Sequence, residues 1–383
     1  MQKNTFLNLL FFIAVLFNVS CSSTRFVKQP EANISSLNLL GEYEIPFNLK
    51  YNGTFTGGLS GIDYDAKNDL YYLICDDRSE KNPARFYTAR IFLKQTGIDS
   101  VLFTGVKSLL QPNGIVYPDI KQDRYHTPDP EAIRYNPLSK KLVWTSEGER
   151  IVNAKDTVLE NPSVLIINRD GKYVDSFALP SNLIMHATEK GPRRNGVLEG
   201  MCFADNYKTL YVNIEEPLYE DGPRAEITDN NAYIRFIKFN AAKRYSTAQY
   251  AYKLSPVAFP AKPETAFSIN GVPDILSLGN NKLLVIERSF STGRLPCTVK
   301  LFIADLSGAT DISSMKLLNN REFIPATKKL LLNMDDLGIY IDNIEGVTFG
   351  PLLPNGNKTL IFVADNNFNE AEKTQFLLFE IIE

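Results

Sequence analysis

The sequence is short of the residues that build the commonest hydrolytic and metal sites. It has only two histidines, His126 and His186, among 383 residues, which argues against a histidine-rich zinc site and most histidine-based triads. No G-x-S-x-G sequence occurs, so a serine nucleophile on a sharp elbow is not indicated. The formal net charge is only −3, so no global field draws the protein to nucleic acid, and we expect no such partner.

Cysteines are also few, and their spacing is wide. Beyond Cys21 the chain has Cys75, Cys202 and Cys297, an odd number that does not form a disulfide framework. Cys75 and Cys202 lie in apolar runs typical of strands, which predicts inert core residues.

One long apolar run is present, at the N-terminus. It covers residues 6–17, follows Lys3, and is too short to span a bilayer comfortably. We predict a signal peptide over 1–20, lipidation of Cys21, a linker over 21–35 and one domain over 36–383. Asn18 stands where a lipoprotein motif usually has leucine, so an ordinary signal peptide, or a buried cysteine, is the alternative. The expected location is the bacterial cell envelope, at the outer membrane or in the periplasm, with the lipid anchor as the only membrane contact.

An internal repeat runs through the rest of the chain. Five segments combine an acidic residue, usually a small residue and an apolar one, with serine replacing the acid in the first: 59–62 (LSGI), 130–133 (PEAI), 198–201 (LEGM), 273–276 (PDIL) and 344–347 (IEGV). After a turn, each is followed by an apolar run that ends in an acid: 70–76, 141–147, 209–215, 282–287 and 359–365.

The spacing within the repeat supports common descent. The acid position and the terminal acid are 16 residues apart in the first three units, 13 in the fourth and 20 in the fifth. The extra length of the fifth unit falls in the turn at 351–356, where loops tolerate insertions.

Further strands follow each pair. Third strands are predicted at 85–93, 163–168, 232–239, 299–305 and 375–382, and fourth strands at 99–104, 174–179, 249–254 and 329–333. Four strands in a unit of roughly 60 residues predict an all-β propeller blade. No long amphipathic helix is evident. The alternative is a pair of β-sandwiches whose similarity is accidental.

The fifth unit lacks a fourth strand, and residues 37–45 read as an unpaired strand. We predict that this N-terminal strand joins the C-terminal one and closes the ring, which also removes exposed sheet edges. Five blades are counted directly. A sixth could lie in the long connections at 108–127 and 216–231, so the number is five or six.

Equivalent positions in successive blades form rings around a central channel. We therefore expect a double ring of carboxylates at one mouth of the channel. The first ring has Glu131, Glu199, Asp274 and Glu345, and the second has Asp76, Glu147, Glu215, Glu287 and Asp365. Like charges this close repel, and either a hard cation or interleaved basic residues would relieve the repulsion. Ca²⁺, which takes six to eight oxygen ligands, is the expected cofactor.

Arginines lie near both acidic positions. Arg78, Arg150 and Arg288 each follow closely after a terminal acid, and Arg134, Arg193 and Arg194 lie near the other motif. Arginine beside carboxylates and a metal is suited to gripping phosphate. The alternative is that the acids are structural and bond backbone amides of the neighbouring blade.

The motifs resemble those of the phytase-like esterase family, a group of exported bacterial propeller proteins. The resemblance covers the chain from about residue 41 to its end. The matching phrases are 57–62 (GGLSGI), 129–133 (DPEAI), 198–201 (LEGM), 286–289 (IERS) and 343–347 (NIEGV). The resemblance implies ester or phosphoester hydrolysis by repeated Glu and Asp residues, without fixing a substrate. Ser60 and Ile275 depart from the pattern in the first and fourth blades.

The leading hypothesis is an exported, monomeric, metal-assisted hydrolase of a small phosphoester. The catalytic residues would be Glu131, Glu199, Glu345, Arg150 and Arg288, with Glu199 or Glu345 as base and the arginines on the phosphoryl oxygens. The metal ligands would be Asp76, Glu147, Glu215, Asp274, Glu287 and Asp365. Two alternatives stay open: a Ca²⁺-dependent lactonase or carboxylesterase, and a non-catalytic propeller that binds a glycan, peptide or protein. We expect His126, just before the second motif, to be a solvated loop residue.

Overall fold

Five antiparallel sheets form the blades of a propeller, each four strands deep, and in blade 4 two short strands share the innermost position. The computed structural model describes residues 28–94, 97–319 and 321–383. The predicted signal peptide and the lipidation site at Cys21 lie outside these residues. Among the residues described, no helix is long and apolar enough to cross a membrane.

Each blade runs from an innermost to an outermost strand. Strand β1 (Ser36–Ile45) precedes the short hairpin of β2 (Lys50–Tyr51) and β3 (Thr54–Phe55). Blade 1 has, in order from the axis, β4 (Leu59–Asp65), β5 (Leu70–Cys75), β6 (Arg85–Lys94) and β7 (Gly97–Ser108). Blade 2 has β8 (Pro130–Asn136), β9 (Lys141–Ser146), β12 (Ser163–Ile167) and β13 (Tyr173–Ser176), with a side hairpin of β10 (Glu149–Val152) and β11 (Thr157–Glu160). Blade 3 has β14 (Leu198–Ala204), β15 (Thr209–Ile214), β16 (Tyr233–Asn240) and β17 (Tyr245–Lys253).

The last two blades complete the ring. Blade 4 has β18 (Ser268–Gly271) and β19 (Ile275–Gly279) on its inner side, then β20 (Lys282–Ser291), β21 (Thr298–Asp305) and β22 (Thr327–Asn333). Blade 5 has β23 (Asn343–Phe349), β24 (Thr359–Asp365) and β25 (Thr374–Ile382), with β1 as its outermost strand. Two short 3-10 helices lie at Ser181–Leu183 and Met334–Leu337.

The predicted closure of the ring is confirmed. Strand β1 pairs antiparallel with β25, from Ser36 opposite Ile382 to Ile45 opposite Thr374. The count of five blades is confirmed as well. The connection at 108–127 is mostly turns and bends with one isolated bridge, and the connection at 216–231 has no strand, so neither forms a sixth blade.

The innermost strands of blades 1, 2, 3 and 5 share a bulge at the repeated acid position. In blade 1 the register slips by one residue between Leu59 and Gly61, and in blade 5 it slips between Ile344 and Gly346. Blades 2 and 3 slip over the segments that contain Glu131 and Glu199. A bulge inserts an unpaired residue and re-aims its side chain. The bulge therefore places the repeated acid out of the regular ladder, at one end of the inner strand.

Small residues after the bulge let neighbouring inner strands approach closely. A Cβ on Gly200 would lie 2.5 Å from the Cα of Asp274 in blade 4, and one on Gly61 would lie 2.9 Å from the carbonyl oxygen of Glu131. Such distances are shorter than real contacts allow, so a larger residue would push adjacent blades apart. The glycine of the Glu-Gly-apolar phrase is thus a packing requirement at the axis.

A buried ion pair crosses the axis next to this contact. The Nη2 of Arg134 in blade 2 lies 2.7 and 2.6 Å from the two carboxylate oxygens of Asp274 in blade 4. Arg134 also donates to the carbonyl of Ile62 in blade 1, and Asp274 accepts from the backbone N–H of Val347 in blade 5. Both charged side chains are at most 2% exposed. The pair therefore ties four blades together and fills the middle of the channel.

We predict that Arg134→Met destabilises the protein by about 3–5 kcal/mol, because it leaves the Asp274 carboxylate buried without its partner. The double variant Arg134→Met/Asp274→Asn should recover part of that loss, since no buried charge remains. Urea unfolding followed by circular dichroism measures both. A single variant that loses less than about 1 kcal/mol would contradict the assigned role of the pair.

Candidate functional site

The carboxylates gather at the channel mouth where the inner strands begin. Asp76, Glu147, Glu215 and Asp365 lie at or just after the end of the second strand of blades 1, 2, 3 and 5. Glu131, Glu199 and Glu345 lie at the bulges of blades 2, 3 and 5. The predicted convergence of these acids is thus present in the structure, whereas their chemical roles stay predictions.

Two groups of three carboxylates share one member. In each group, one oxygen from every residue lies within 4.8 Å of the others. The first group is Asp76, Asp129 and Glu131, and the second is Glu131, Glu147 and Glu199. Glu131 therefore links two adjoining clusters of oxygen ligands that come from three blades.

Few groups of the protein donate hydrogen bonds to these carboxylates. Glu147 accepts backbone N–H bonds from Gly196, at 2.7 Å, and from Val197 in the next blade. In the described part of the chain, no N–H or hydroxyl group donates to the carboxylate of Glu131. At the neighbouring position in blade 5, Asp365 is fully buried, and among the described residues its Oδ2 has no partner.

Burial and mutual repulsion disfavour the charged forms. Burial raises the pKa of Glu131 well above its usual range, and the charges of Asp76 and Glu199 raise it further. Burial raises the pKa of Glu147 to about 8, with Asp129 adding to the effect. The pKa of Asp76 is also raised, by burial first and then by Asp129. Without a cation, several of these groups must share or take up protons at neutral pH.

One arginine interrupts the ring of acids. The Nη2 of Arg288 lies 2.8 Å from Glu215, and its Nη1 donates to Asn343 and Glu345. Its side chain is 14% exposed, so these charge-assisted bonds are largely screened from water. Arg288 thus neutralises the blade 3 to blade 5 side of the mouth, while the two carboxylate clusters lie on the other side.

The alignment of blade 4 predicted from the sequence is wrong by one residue. Ile275 pairs with Val285 as Ile62 pairs with Leu73 in blade 1, so the residue three positions after Val285 is the equivalent of Asp76. That residue is Arg288, not Glu287. By the same register, Asp274 takes the position of the small residue and Pro273 that of the acid.

Asp274 and Glu287, both predicted metal ligands, accordingly lie outside the carboxylate clusters. Asp274 is the partner of Arg134 in the middle of the channel. Glu287 points away from the channel mouth and accepts from the hydroxyl of Tyr252, at 2.7 Å, from Asn270, at 2.9 Å, and from Lys328. These partners satisfy both carboxylates, which explains why neither is free to bind a cation.

Arg150, a predicted catalytic residue, also lies apart from the acids. Its guanidinium lies 4.9 Å from the ring centre of Tyr219 and donates to the backbone carbonyls of His186 and Thr188. It holds loops at the rim instead of facing the carboxylates. The sequence position after Glu147 did not reveal this, because Gly148 has a positive φ of 73° and turns the chain away.

The predicted catalytic and metal-binding sets leave out two residues of the site. Asp129 belongs to the first cluster, and Arg78 lies 3.4 Å from Asp129 and 2.9 Å from Glu149. Asp129 stands directly before the Pro-Glu motif of blade 2, and this proximity was the available signal. Arg78 was grouped with the arginines suited to gripping phosphate, but it was not among the predicted catalytic residues.

Two polar residues near the motifs have simpler roles. The hydroxyl of Ser60, which replaces the acid in blade 1, donates to the carbonyl of Glu131 at 2.7 Å and so joins blades 1 and 2. The side chain of His126 is 73% exposed and pairs with Asp123. The expectation that His126 is a solvated loop residue is therefore confirmed.

The donor set fits a hard cation. All ligand atoms in the two clusters are carboxylate oxygens, which Ca²⁺ prefers, and no thiol or imidazole is among them. The lack of donors to Glu131 and the repulsion within the clusters are both relieved by a positive ion. The clusters could therefore hold a metal ion, with Asp76, Asp129, Glu131, Glu147 and Glu199 as ligands.

The sequence matches the family described as phytase-like, with esterase-like activity of phytase, over residues 54–368. The chain belongs to this family. Family membership supports a hydrolase built on a propeller. A comparison with curated proteins gives no match.

Solved structures resemble the fold at low sequence identity. An exo-β-1,3-galactanase from Phanerochaete chrysosporium has a TM-score of 0.44 and 12% identity, and the match covers 90% of this chain and 64% of that one. The periplasmic gluconolactonase of Pseudomonas aeruginosa has a TM-score of 0.37 and 10% identity, and the match covers 86% of this chain and 87% of that one. An endo-1,4-β-xylanase from Bacteroides thetaiotaomicron has a TM-score of 0.42 and 11% identity, and the match covers 84% of this chain and 90% of that one. At these values the likeness says nothing about this chain's substrate.

We predict that Glu131→Gln has opposite effects with and without calcium. In EDTA it should raise the free energy of unfolding by about 1 kcal/mol or more, because it removes a buried carboxyl group that must either stay charged among repelling neighbours or take up a proton on folding. Ca²⁺ should raise the Tm of the natural protein but not that of the variant. Thermal melts in EDTA and in millimolar CaCl₂ measure both. Glu264→Gln, at an exposed acid, is the matched control and should change neither. A variant less stable than the natural protein in EDTA would show that Glu131 is structural.

The pH dependence of stability follows from the raised pKa of Glu147, about 8 in the folded protein. The unfolded chain releases this proton near a pKa of about 4.3, so the folded state binds more protons between the two values. Stability without a cation should therefore fall as the pH rises through this window. Urea unfolding at about pH 5.5 and 8.5 in EDTA tests the sign, and Ca²⁺ should reduce the difference. Stability that rises with pH in EDTA would contradict this arrangement.

Proposed function

We propose that the protein is an exported, calcium-dependent phosphoester hydrolase whose active site is the acidic mouth of the channel. The observation that carries the proposal is the pair of carboxylate clusters joined at Glu131, which lack enough donors of their own and lie beside two arginines. Acids, arginines and a hard cation are the groups that bind and activate phosphoryl oxygens. Membership of the phytase-like family supports the same class of reaction.

The carboxylates divide into ligands and a base. Asp76, Asp129, Glu131, Glu147 and Glu199 would hold the cation, as the predicted ligands Asp76 and Glu147 were expected to do. When bound, Ca²⁺ would supply positive charge to the substrate oxygens and favour ionisation of an attacking water. Glu131 and Glu199, predicted as catalytic residues, would then act through the metal.

Glu345 is the better placed base. It lies outside both clusters and is bound to Arg288. Its side chain is 13% exposed, so water at the channel mouth can reach it. Burial raises the pKa of Glu345 above its usual value although the nearby Arg288 opposes the rise, so Glu345 is a stronger base than an ordinary glutamate. Glu345 would take the proton from the attacking water.

The arginines would stabilise the negative charge that develops on the phosphoryl oxygens. Arg288 faces the acids on one side of the mouth, and Arg78 faces Asp129 on the other. Their guanidinium groups are held in place by carboxylates, so little reorganisation would accompany the reaction. In this proposal Arg78 takes the role that the sequence suggested for Arg150.

The test is hydrolysis of p-nitrophenyl phosphate, bis-p-nitrophenyl phosphate and p-nitrophenyl acetate in Ca²⁺ and in EDTA. We expect turnover of a phosphoester that requires Ca²⁺. Glu345→Gln should lower kcat by about 10²–10⁴-fold and keep the calcium-induced rise in Tm, since it removes the base but not the ligands. Glu131→Gln should lose both, and Glu264→Gln should lose neither.

The remaining outcomes separate the alternatives. Turnover of the acetate alone would favour a carboxylesterase or lactonase at the same mouth. No turnover, together with a Tm that calcium leaves unchanged, would favour a propeller that binds a partner without catalysis.

The location is a proposal of the same kind. A protein lipidated at Cys21 would fractionate with the cell envelope, and Cys21→Ser should release it into the soluble fraction of the periplasm or medium. A natural protein that is soluble after export would overturn the lipid anchor without affecting the proposed activity.

A further inference from the structure

A cavity opens at the end of the channel opposite the acidic mouth. It has a volume of about 820 Å³, within the range of small-molecule sites. Its lining includes Asp63, Arg134 and Thr348 on the innermost strands, and the turns between first and second strands form its rim. The Arg134–Asp274 pair lies between this cavity and the acidic mouth, so the two sites are separate.

Three cations on the rim have no acidic partner. Lys67, Lys140 and Arg169 line the cavity and are exposed, and in the part of the chain described no carboxylate lies within salt-bridge distance of them. Two further lysines of the lining, Lys28 and Lys358, are paired with acids. An opening with three unpaired cations favours an anionic ligand.

The residues at the floor of the cavity, including its acids, are also consistent with binding of an anion. Arg134 is 2% exposed, and its Nε, among the described residues, has no hydrogen-bond partner. Asp63 already accepts from the backbone N–H of Tyr135 and the hydroxyl of Thr348. Asp65 accepts from the backbone N–H of Lys67 and from Asn68. Glu31, the third acid of the lining, is paired with Lys28. Each acid of the lining thus has a partner, whereas cationic donors remain.

The walls are aromatic. Tyr135, Phe203 and Tyr207 line the cavity, and the last two rings lie 5.6 Å apart. Gln29, from the segment that precedes β1, donates to the carbonyl of Phe203 and accepts from the backbone N–H of Tyr207. These contacts hold the aromatic wall in place. Such rings pack against a flat or apolar body.

We propose that this cavity binds an organic anion in which a phosphate group is attached to a ring or an apolar body. Lys67, Lys140 and Arg169 would hold the phosphate oxygens, and the tyrosines would pack against the body. The proposal does not depend on hydrolysis at the acidic mouth. Two sources share this chemistry, a free phosphate ester and the headgroup of an anionic lipid.

The probe for the free ester is phenylphosphonate, whose carbon–phosphorus bond is not an ester. Calorimetric titration is done in EDTA, because binding at the acidic mouth would require a cation. The rim variant Lys67→Gln/Lys140→Gln/Arg169→Gln should bind at least about tenfold more weakly than the natural protein. The matched control, Lys243→Gln/Lys282→Gln/Lys329→Gln, removes three exposed lysines of blades 3 and 4 outside the cavity and should bind normally. Thermal melts confirm that both variants fold.

The probe for the lipid source is flotation with vesicles of phosphatidylglycerol in phosphatidylcholine, using the soluble exported Cys21→Ser protein, which has no lipid anchor. Phenylphosphonate binding that depends on the rim supports a site for a free ester. Vesicle binding that depends on the rim, without binding of phenylphosphonate, supports a site for a lipid headgroup. The proposal is overturned if neither probe binds, or if the control variant loses as much binding as the rim variant.

Discussion

The Arg134–Asp274 ion pair across the axis is the interaction on which the rest of the structure depends. A propeller holds its blades mainly by contact with neighbours, but this pair joins blades 2 and 4 directly and reaches the backbone of blades 1 and 5. Blade 3 completes the arrangement, since Gly200 leaves room for Asp274. Removing one partner would leave a buried charge, which is costlier than losing a surface pair. The pair therefore sets the spacing of the inner strands, and through it the positions of the bulged acids.

Blade 4 departs from the repeat at the terminal acid position, where a fifth carboxylate would add to the negative charge of the ring. With an acid at all five terminal positions, the mouth would have no basic group in the ring. Arg288 takes that position in blade 4, and it binds Glu215 and Glu345 on either side. This compensation is local, and Asp76, Asp129, Glu131, Glu147 and Glu199 remain crowded and short of donors. The clusters that could hold a cation therefore lie on one side of the mouth only.

The sequence was sufficient for the fold and for most of the acidic mouth, because strand periodicity and spacing are local properties. Glu131, Glu199 and Glu345 follow the same bulge, and their equal spacing to Glu147, Glu215 and Asp365, apart from the insertion at 351–356, reflects the same hairpin. Blade 4 was misaligned from the sequence because Asp274, one residue after the position equivalent to the repeated acid, resembled the motif. The correct spacing, from Pro273 to Arg288, is 15 residues, a turn only one residue shorter than in the first three blades. Whether Arg150 and Asp129 face the carboxylates depends on the direction of the backbone in loops, and the spacing of motifs does not predict that direction.

The two ends of the channel differ in charge because their residues come from different parts of the repeat. The mouth is built from the bulges and the ends of the second strands, where the repeat has its acids. The opposite cavity is built from the turns between the first two strands, where Lys67 and Lys140 occur, and from Arg169 in a turn farther out in blade 2. Turns tolerate change without disturbing the blades, so the basic rim can vary independently of the acidic mouth. Since Arg134 and Asp274 fill the space between them, a ligand at one end would not meet a ligand at the other, and one ring of blades can carry two sites of opposite charge preference.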